Sequence, residues 1–545
     1  MAKPQIRTYQ ARPVLSEEQV AVLDAYAALY GQVERSLFAA IRAGGAINDL
    51  KRSFLPRFSI TARQFNAVRV GLEGKIDSIK ARRPELIVEL ETRIKQATKV
   101  IAKLSLSPSA AAKLHQKKRR LAILQSRLAS MQADHKKGLV RLCFGSRKLF
   151  QAQFDLVANG YASHKDWKED WLTNRASQFF VLGSGDETAG NQSCQAELTS
   201  DGSLSLTVRL PNAMVTAGEP KTLTIIGLRF AYGHDAIAAA LQSSQRVAST
   251  TKAGKPTIKR TGCALSYRFM RDAKGWRVFV SCEAQPVASA SKIALGAVGV
   301  DINADHLAVS EIDRFGNLVH AQRINLHTYG KTTDQTKAMI GDAAVAIIAQ
   351  AKMAGKPIVV EALNFAKKKA ELESTDARYA RMLSSFACNK VIGSIKSAAF
   401  KAGIEVIEVN PAYTSVIGAV NHAQRKGISV HMGAAVAIAR RGLGLSERVP
   451  KRQAVVPARN GGHVTFVVPA RNRSKHVWSQ WGKVRTCLKA AHVAHGRCGA
   501  QKTPPPPLDP AMRPLGATRS FTAKPRDANR QQHCSADVIF LDVQC

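Results

Sequence analysis

Two carboxylates in this chain stand where a carboxylate is costly. Asp301 ends the apolar run Val298, Gly299, Val300, and Glu361 ends the run Ile358, Val359, Val360. An ionised carboxylate buried without a partner costs several kcal/mol. Two acids brought together at the ends of core strands relieve that cost by sharing a divalent cation, which takes hard oxygen ligands. A pair of such ions about 3.5–4 Å apart activates a water and stabilises the leaving oxygen of a phosphodiester. Taken singly, each acid also reads as a turn or cap residue at a strand end. Their shared context selects the metal reading, with Mg²⁺ or Mn²⁺ as the ion.

The two acids meet only if both runs are strands of one sheet. GAVGVDIN, HLAVSEI and LVHAQRI read as a meander of three antiparallel strands, with the turn Asp313, Arg314, Phe315, Gly316, Asn317 before the last. A helical pattern over 332–355 leads to the strand PIVVEAL, a second over 377–403 leads to IEVIEVN, and a last helix covers 430–441. Three antiparallel strands followed by alternating helices and strands is the order expected of a RuvC/RNase H-like α/β domain, placed at 293–448.

The rest of the chain reads as a multidomain α+β protein. Residues 1–177 read as an N-terminal helical region, which the family resemblance described below implies to be a recognition region: a short strand over 5–11, a helix over 16–42 with Ser16 as N-cap and Glu17 and Glu18 in its first turn, and a long αα-hairpin. Leu90, Ile94, Ala97, Ile101 and Leu104 on one arm, and Leu121, Leu124, Leu128 and Met131 on the other, make the hairpin seam. Its outer faces carry Lys117, Lys118, Arg119, Arg120, Lys136 and Lys137, which either follow a phosphate backbone or form a solvated charged face. Residues 178–292 alternate in short runs broken by turn residues, a β-rich domain with a helical insert near 235–245, which the family resemblance described below implies to be a β-barrel-like wedge domain. Such a sheet binds oligonucleotides or is purely structural. The stretch 449–545, rich in Arg, Lys, Gly and Pro, reads as a largely disordered basic tail with little packed structure after about residue 500.

Composition names a partner class and no reaction. Lys and Arg total 80 against 40 acids among 545 residues, a formal charge of +40. A field of that sign binds nucleic acid by releasing condensed counterions, an affinity that falls steeply with salt. No run of 18 apolar residues occurs and the opening MAKPQIRTYQAR lacks an apolar core, so the expectation is a cytoplasmic, nucleoid-associated protein with no membrane partner. Nine scattered cysteines without a CxxC pair read as reduced thiols. Cys487, His492, His495 and Cys498 offer metal-ligating side chains, but their spacing matches no common zinc finger.

Four segments carry a family resemblance: GVDIN (299–303), IVVEALN (358–364), VNPAYTS (409–415) and AAVAIARRG (434–442). They resemble the RuvC motifs of TnpB, the RNA-guided DNA endonucleases encoded beside bacterial insertion sequences, and of the related miniature type V CRISPR effectors. The resemblance is specific over 295–445 and extends by domain order to the N-terminal half. It implies a guide RNA, a DNA target, and Asp301 and Glu361 as metal ligands, with sequence read by base pairing. Two departures stand out. Cys388 is the only cysteine between Glu361 and His431, so no four-cysteine zinc ribbon forms in the usual place. His431 also occupies the position of the third catalytic acid, and no Asp occurs over 383–450.

His431 has three readings: a metal ligand or water-assisting imidazole in the catalytic set, the mark of a nuclease-dead site, or a helix N-terminal residue. Arg440 and Arg441 either hold phosphates of the scissile strand or act as cations at a helix C-terminus, and Asp305 reads as a turn residue. The expected activity is RNA-guided, divalent-metal cleavage of DNA at Asp301, Glu361 and His431, in a transposon-associated protein. The alternative is an RNA-guided binder that represses or assists transposition without cutting. A transposase proper would need a nucleophile such as Tyr413, and no recombinase constellation surrounds it in the sequence.

Overall fold

Alternating apolar residues dictate the sheets of the first of two compact units. The computed structural model, a mixed helix and sheet structure, describes residues 5–106, 111–216, 218–250, 256–284, 287–362, 388–458 and 462–500. The first unit takes the chain up to Ile87 and Arg127–Gln285. It opens with β1 (Ile6–Ala11), α1 (Glu17–Arg42) and α2 (Ile47–Phe58). The long α3 (Ala62–Leu104) and its hairpin partner α4 (Ala111–Lys136) are cut by the division between units. Then come α5 (Arg147–Ala152), α6 (His164–Arg175), β2 (Gln178–Val181), β3 (Cys194–Leu198), β4 (Leu204–Arg209) and β5 (Thr222–Leu228). The unit closes with α7 (His234–Gln242), β6 (Gln245–Thr250), β7 (Pro256–Thr261), β8 (Ser266–Asp272) and β9 (Gly275–Glu283).

Ser16 caps α1 through a capping box with Gln19. The hairpin seam buries Leu90, Ala97 and Leu124, while Lys118, Arg119 and Arg120 are exposed and Lys117 half-buried. Two departures from the sequence expectation concern long-range pairing. The N-terminal strand β1 pairs antiparallel with β9, Ile6 opposite Glu283, so it belongs to the β-rich region and not to the helical one. The β-rich strands form three separate ladders, β1-β9-β8-β2, β3-β4-β5 and β6-β7, and close no ring among the described residues. Tyr26 of α1 stacks on Phe179 at 4.2 Å, and Phe179 on Phe269 at 4.6 Å, joining helix to sheet.

The second unit takes Val88–Ser126 and the described residues over 287–500. Its strands are β10 (Ala297–Ile302), β11 (His306–Ile312), β12 (Leu318–Asn325), β13 (Ile358–Glu361) and β14 (Val406–Val409), in the order β12-β11-β10-β13-β14. The first three are antiparallel neighbours, and β10, β13 and β14 run parallel. Three antiparallel strands followed along the chain by alternating helices and strands is the element order read from the sequence. Parallel neighbours need crossovers: α8 (Thr333–Ala354) links β12 to β13, and α9 (Cys388–Lys401) precedes β14. Thr332 caps α8 with a capping box, and Gly355 ends it in the left-handed region at φ 64°. The expected helical stretch 377–387 lies outside the described residues.

Side chains alternate across the two central strands. Val298, Val300, Ile358 and Val360 pack on one face with Ile340 and Ile347 of α8 and Val391 and Ile395 of α9. Ala297 and Val359 pack on the other with Val436, Ile438 and Ala439 of the helix Val430–Gly442. Strands covered on both faces read as continuous apolar runs, which is why an acid at their ends is conspicuous.

The region expected to be a disordered tail is folded up to Ala500. After α10 (Thr414–Ile417) and α11 (Val430–Gly442), β15 (Gln453–Pro457) and β16 (His463–Val467) form a hairpin and α12 (Val477–Ala500) follows. Ala454, Val456, Phe466, Trp481, Val484 and Leu488 bury a cluster with Val416, Ile417 and Ala437. The expectation failed because a compositional reading averaged these short amphipathic elements with the Pro-rich stretch after them, which lies outside the described residues.

Candidate active site

Pairing register brings the two acids together. In the parallel ladder Val300 stands opposite Val360, so Asp301 and Glu361 are the next residues out at the C-terminal ends of adjacent strands. They share the face of Gly299 and Val359, the one covered by α11. The helix lies close because Gly299 lets it: a Cβ there would sit 2.0 Å from the Ala435 carbonyl oxygen. Ser310 of β11 donates to the Met432 carbonyl at 2.9 Å and ties down the start of the helix. Ser429 caps that helix through the Met432 N–H, and His431 follows in its first turn.

Asp301 is 7% exposed, and its partners are polar side chains. Asn303 Nδ2 donates to Oδ2 at 3.0 Å, and His431 Nδ1 lies 3.4 Å from the same oxygen. The His431 side chain is 42% exposed. His306, buried at the start of β11, meets His431 edge to face at 4.9 Å. His306 Nδ1 lies 2.8 Å from Asp305 Oδ1, and Arg323 donates to Asp305 Oδ2 at 3.1 Å. The hydrogen bond from His306, with the Arg323 charge, holds the Asp305 carboxyl below its ordinary range against the opposing effect of burial.

Glu361 is held from the start of α10, just after the neighbouring strand β14. The buried Thr414 hydroxyl hydrogen-bonds to Glu361 Oε1 and lies 3.1 Å from the Pro411 carbonyl. Thr414 reaches it because Tyr413 turns the chain in the left-handed region, φ 62°, an uncommon conformation for an aromatic residue. The Tyr413 hydroxyl would lie 3.2 Å from a Cβ at Gly482 of α12, so this tyrosine is a packed turn residue and not a displayed nucleophile. Arg441 donates to the Asn410 carbonyl. Burial lowers its pKa, while the charges of Glu361 and Glu447 act in the opposite direction. Arg440 is committed elsewhere, donating to Glu447 at 2.6 Å and to the Gly316 carbonyl at 2.9 Å, which leaves it poorly placed for a phosphate.

The site residues expected from sequence therefore divide. Asp301, Glu361 and His431 share one face, and Asp301 and His431 touch. Two carboxylates at matched register, one of them buried, suit a hard divalent ion. Among the described residues no three of His, Cys, Asp and Glu converge as ligands of one ion, so His431 does not complete a three-ligand group; its Nδ1 is spent on Asp301. Cys487, His492, His495 and Cys498 all lie along α12, where a single helix cannot wrap four ligands round one ion, and Cys487 packs in the apolar cluster there. Sequence reasoning missed His306 and Thr414. A polar residue opening the apolar strand HLAVSEI was the available signal for His306; for Thr414 there was none beyond the motif containing it. No described helix is long and apolar enough to cross a membrane.

No protein-family model matches the sequence, and no curated protein does. Among solved structures, T. thermophilus RuvC in complex with a Holliday junction aligns over 28% of this chain and 99% of its own, at 14% identity and a TM-score of 0.21. A Cas12f1–sgRNA–target DNA complex aligns over 80% and 99%, at 9% identity and a TM-score of 0.30. A CRISPR–Cas12f ternary complex aligns over 82% and 100%, at 10% identity and a TM-score of 0.18. Similarities this distant assign neither fold nor activity.

Proposed function

We propose that this chain is a nucleic-acid-bound endonuclease that cleaves DNA phosphodiester bonds at Asp301 and Glu361 with a divalent metal, guided by an RNA. The observation that carries the cleavage reading is the pairing of Val300 with Val360, which sets both acids side by side on one face of the sheet. The RNA guide and the transposon association rest on the motif resemblance alone. Mg²⁺ or Mn²⁺ between the two carboxylates would polarise the phosphate and make water a better nucleophile.

The chain's own residues supply the rest. Asn303 and His431 hold the Asp301 carboxylate, and Thr414 holds Glu361. With its Nδ1 proton directed at Asp301, His431 keeps a lone pair on Nε2, where it accepts the proton of the attacking water. Exposed cations such as Lys118, Arg119 and Arg120 bind backbones without reading sequence. Arg441, close enough to feel the charge of Glu361, is the better of the two C-terminal arginines of α11 for a phosphate.

A second reading has its own observation. His431 stands where the resemblance puts a third catalytic acid, and on this reading the chain is an RNA-guided binder, a repressor or transposition accessory factor that does not cut. The two readings part on one experiment. Protein purified with its RNA, which is then sequenced, is given a matched duplex with Mg²⁺. Cleavage that vanishes in Asp301→Ala while binding persists supports the nuclease, and tight binding without any cleavage supports the binder.

A further inference from the structure

The turn after Asp301 carries polar side chains that the two acids do not need for their own burial. His306 is 5% exposed, a costly place for an imidazole unless its ring nitrogens are satisfied. Its Nδ1 faces Asp305 Oδ1 at 2.8 Å, and Asp305 is fixed in turn by Arg323 on its other oxygen. A carboxylate only accepts, so His306 carries a proton on Nδ1, and in the neutral ring the lone pair is then on Nε2.

Asn303 sits between that lone pair and the site. Its Nδ2 is 3.5 Å from His306 Nε2 and 3.0 Å from Asp301 Oδ2. An amide NH₂ has two hydrogens to give, and three acceptors surround this one, the third being the Asp301 carbonyl at 3.4 Å. The His306 ring also stands edge to face against His431, with planes 81° apart, and closes one side of the space in which that ring can turn. Asp301 Oδ2 then receives two donors, Asn303 and His431.

We infer that Asp305, His306 and Asn303 are a positioning network that fixes the Asp301 carboxylate and the His431 ring, with His306 as its pivot. The inference deepens the proposed function, since Asp301 matters most if it is a site acid. None of the three residues is catalytic. Without the Asp305 acceptor, His306 is free to carry its proton on Nε2, which would then point at an Asn303 N–H. Donor facing donor turns the amide away, and Asp301 loses one of its two partners.

The test uses full-length protein with its bound nucleic acid, labelled with ¹⁵N in histidine and free of divalent metal. Long-range ¹H–¹⁵N spectra report the tautomer of each ring, and His306→Gln and His431→Gln assign the two signal sets. Both rings are expected as the Nδ1–H tautomer. Asp305→Ala should mix the tautomers of His306 and move the ring signals of His431, while Asp305→Asn, which keeps an acceptor oxygen, should restore them. Asp305 is half exposed, so its loss leaves the fold in place. In the same variants Mn²⁺ affinity by calorimetry should fall about 10-fold for Asp305→Ala, with duplex affinity unchanged. His431 signals identical in wild type and Asp305→Ala would overturn the inference. The spectra require neither metal nor cleavage, so a wild-type protein that fails to cut overturns the nuclease reading and leaves this result standing.

Discussion

His431 Nδ1 lies 3.4 Å from Asp301 Oδ2, joining the first turn of α11 to the end of the central strand. An imidazole thus stands on the first acid where a third carboxylate was expected. A neutral ring that donates from Nδ1 to this carboxylate keeps Nε2 free to accept a proton. We expect His431→Ala to slow cleavage by roughly 100-fold or more, the usual contribution of a positioned acid or base, with duplex affinity retained. Single-turnover cleavage and a binding isotherm on the same preparation decide it; an unchanged rate would leave the histidine a helix-end residue.

Glu361 depends on a buried hydroxyl. Thr414→Val keeps the shape and removes the donor to Oε1, leaving a carboxylate short of a partner at a cost of about 1–3 kcal/mol. Urea unfolding should show that loss, and Thr414→Ser should recover most of it. Equal losses in both variants would point to packing and not to the hydroxyl.

The helix approaches the sheet at a glycine. Gly299→Ala would put a Cβ 2.0 Å from the Ala435 carbonyl and 2.8 Å from the Ala439 nitrogen. Backbone cannot yield there as a flexible side chain would, so we expect destabilisation of about 1–3 kcal/mol or more, read as a lower melting temperature. In the motif GVDIN, the glycine therefore serves packing.

Acid should loosen the loop after α11. Glu447 is nearly enclosed, and burial alone would raise its pKa. Hydrogen bonds from His422, Asn421 and Arg440, with the charge of His422, outweigh that and hold it at about 2. A depressed carboxyl contributes stability that is fully present above its unfolded value, near 4.5, and lost as pH falls through the folded one. The contribution at neutral pH is roughly 3 kcal/mol. Glu447→Gln should melt earlier than wild type at neutral pH, with the gap closing on acidification toward about pH 2. A gap independent of pH would contradict this.

Exposed cations on α4 should show in salt dependence. Removing Lys118 and Arg119 together should reduce the slope of log affinity for duplex DNA against log salt by about 1.8, if each neutralises one phosphate. An unchanged slope would make that face merely solvated.

The site was legible where strands are covered on both sides. Continuous apolar runs exposed Asp301 and Glu361 by contrast, while the register that puts their strands side by side comes from the pairing itself. Contacts set by pairing across long stretches of chain were not legible: β1 on β9, and His306 against His431, depend on partners far away in sequence. The hairpin and helix over 453–500 were missed for another reason. Ala454, Val456 and Phe466 alternate and Trp481, Val484 and Leu488 follow helical spacing, but a basic, Gly-rich composition masked both patterns.

The central claim is that Asp301 and Glu361 together hold a divalent ion. Calorimetric titration of Mn²⁺ into the full-length protein tests it directly, alongside Asp301→Asn and Glu361→Gln, which change charge and hardly volume. The account predicts saturable binding in the wild type that each substitution abolishes or weakens by at least about 10-fold. Wild-type affinity retained in both variants would contradict it.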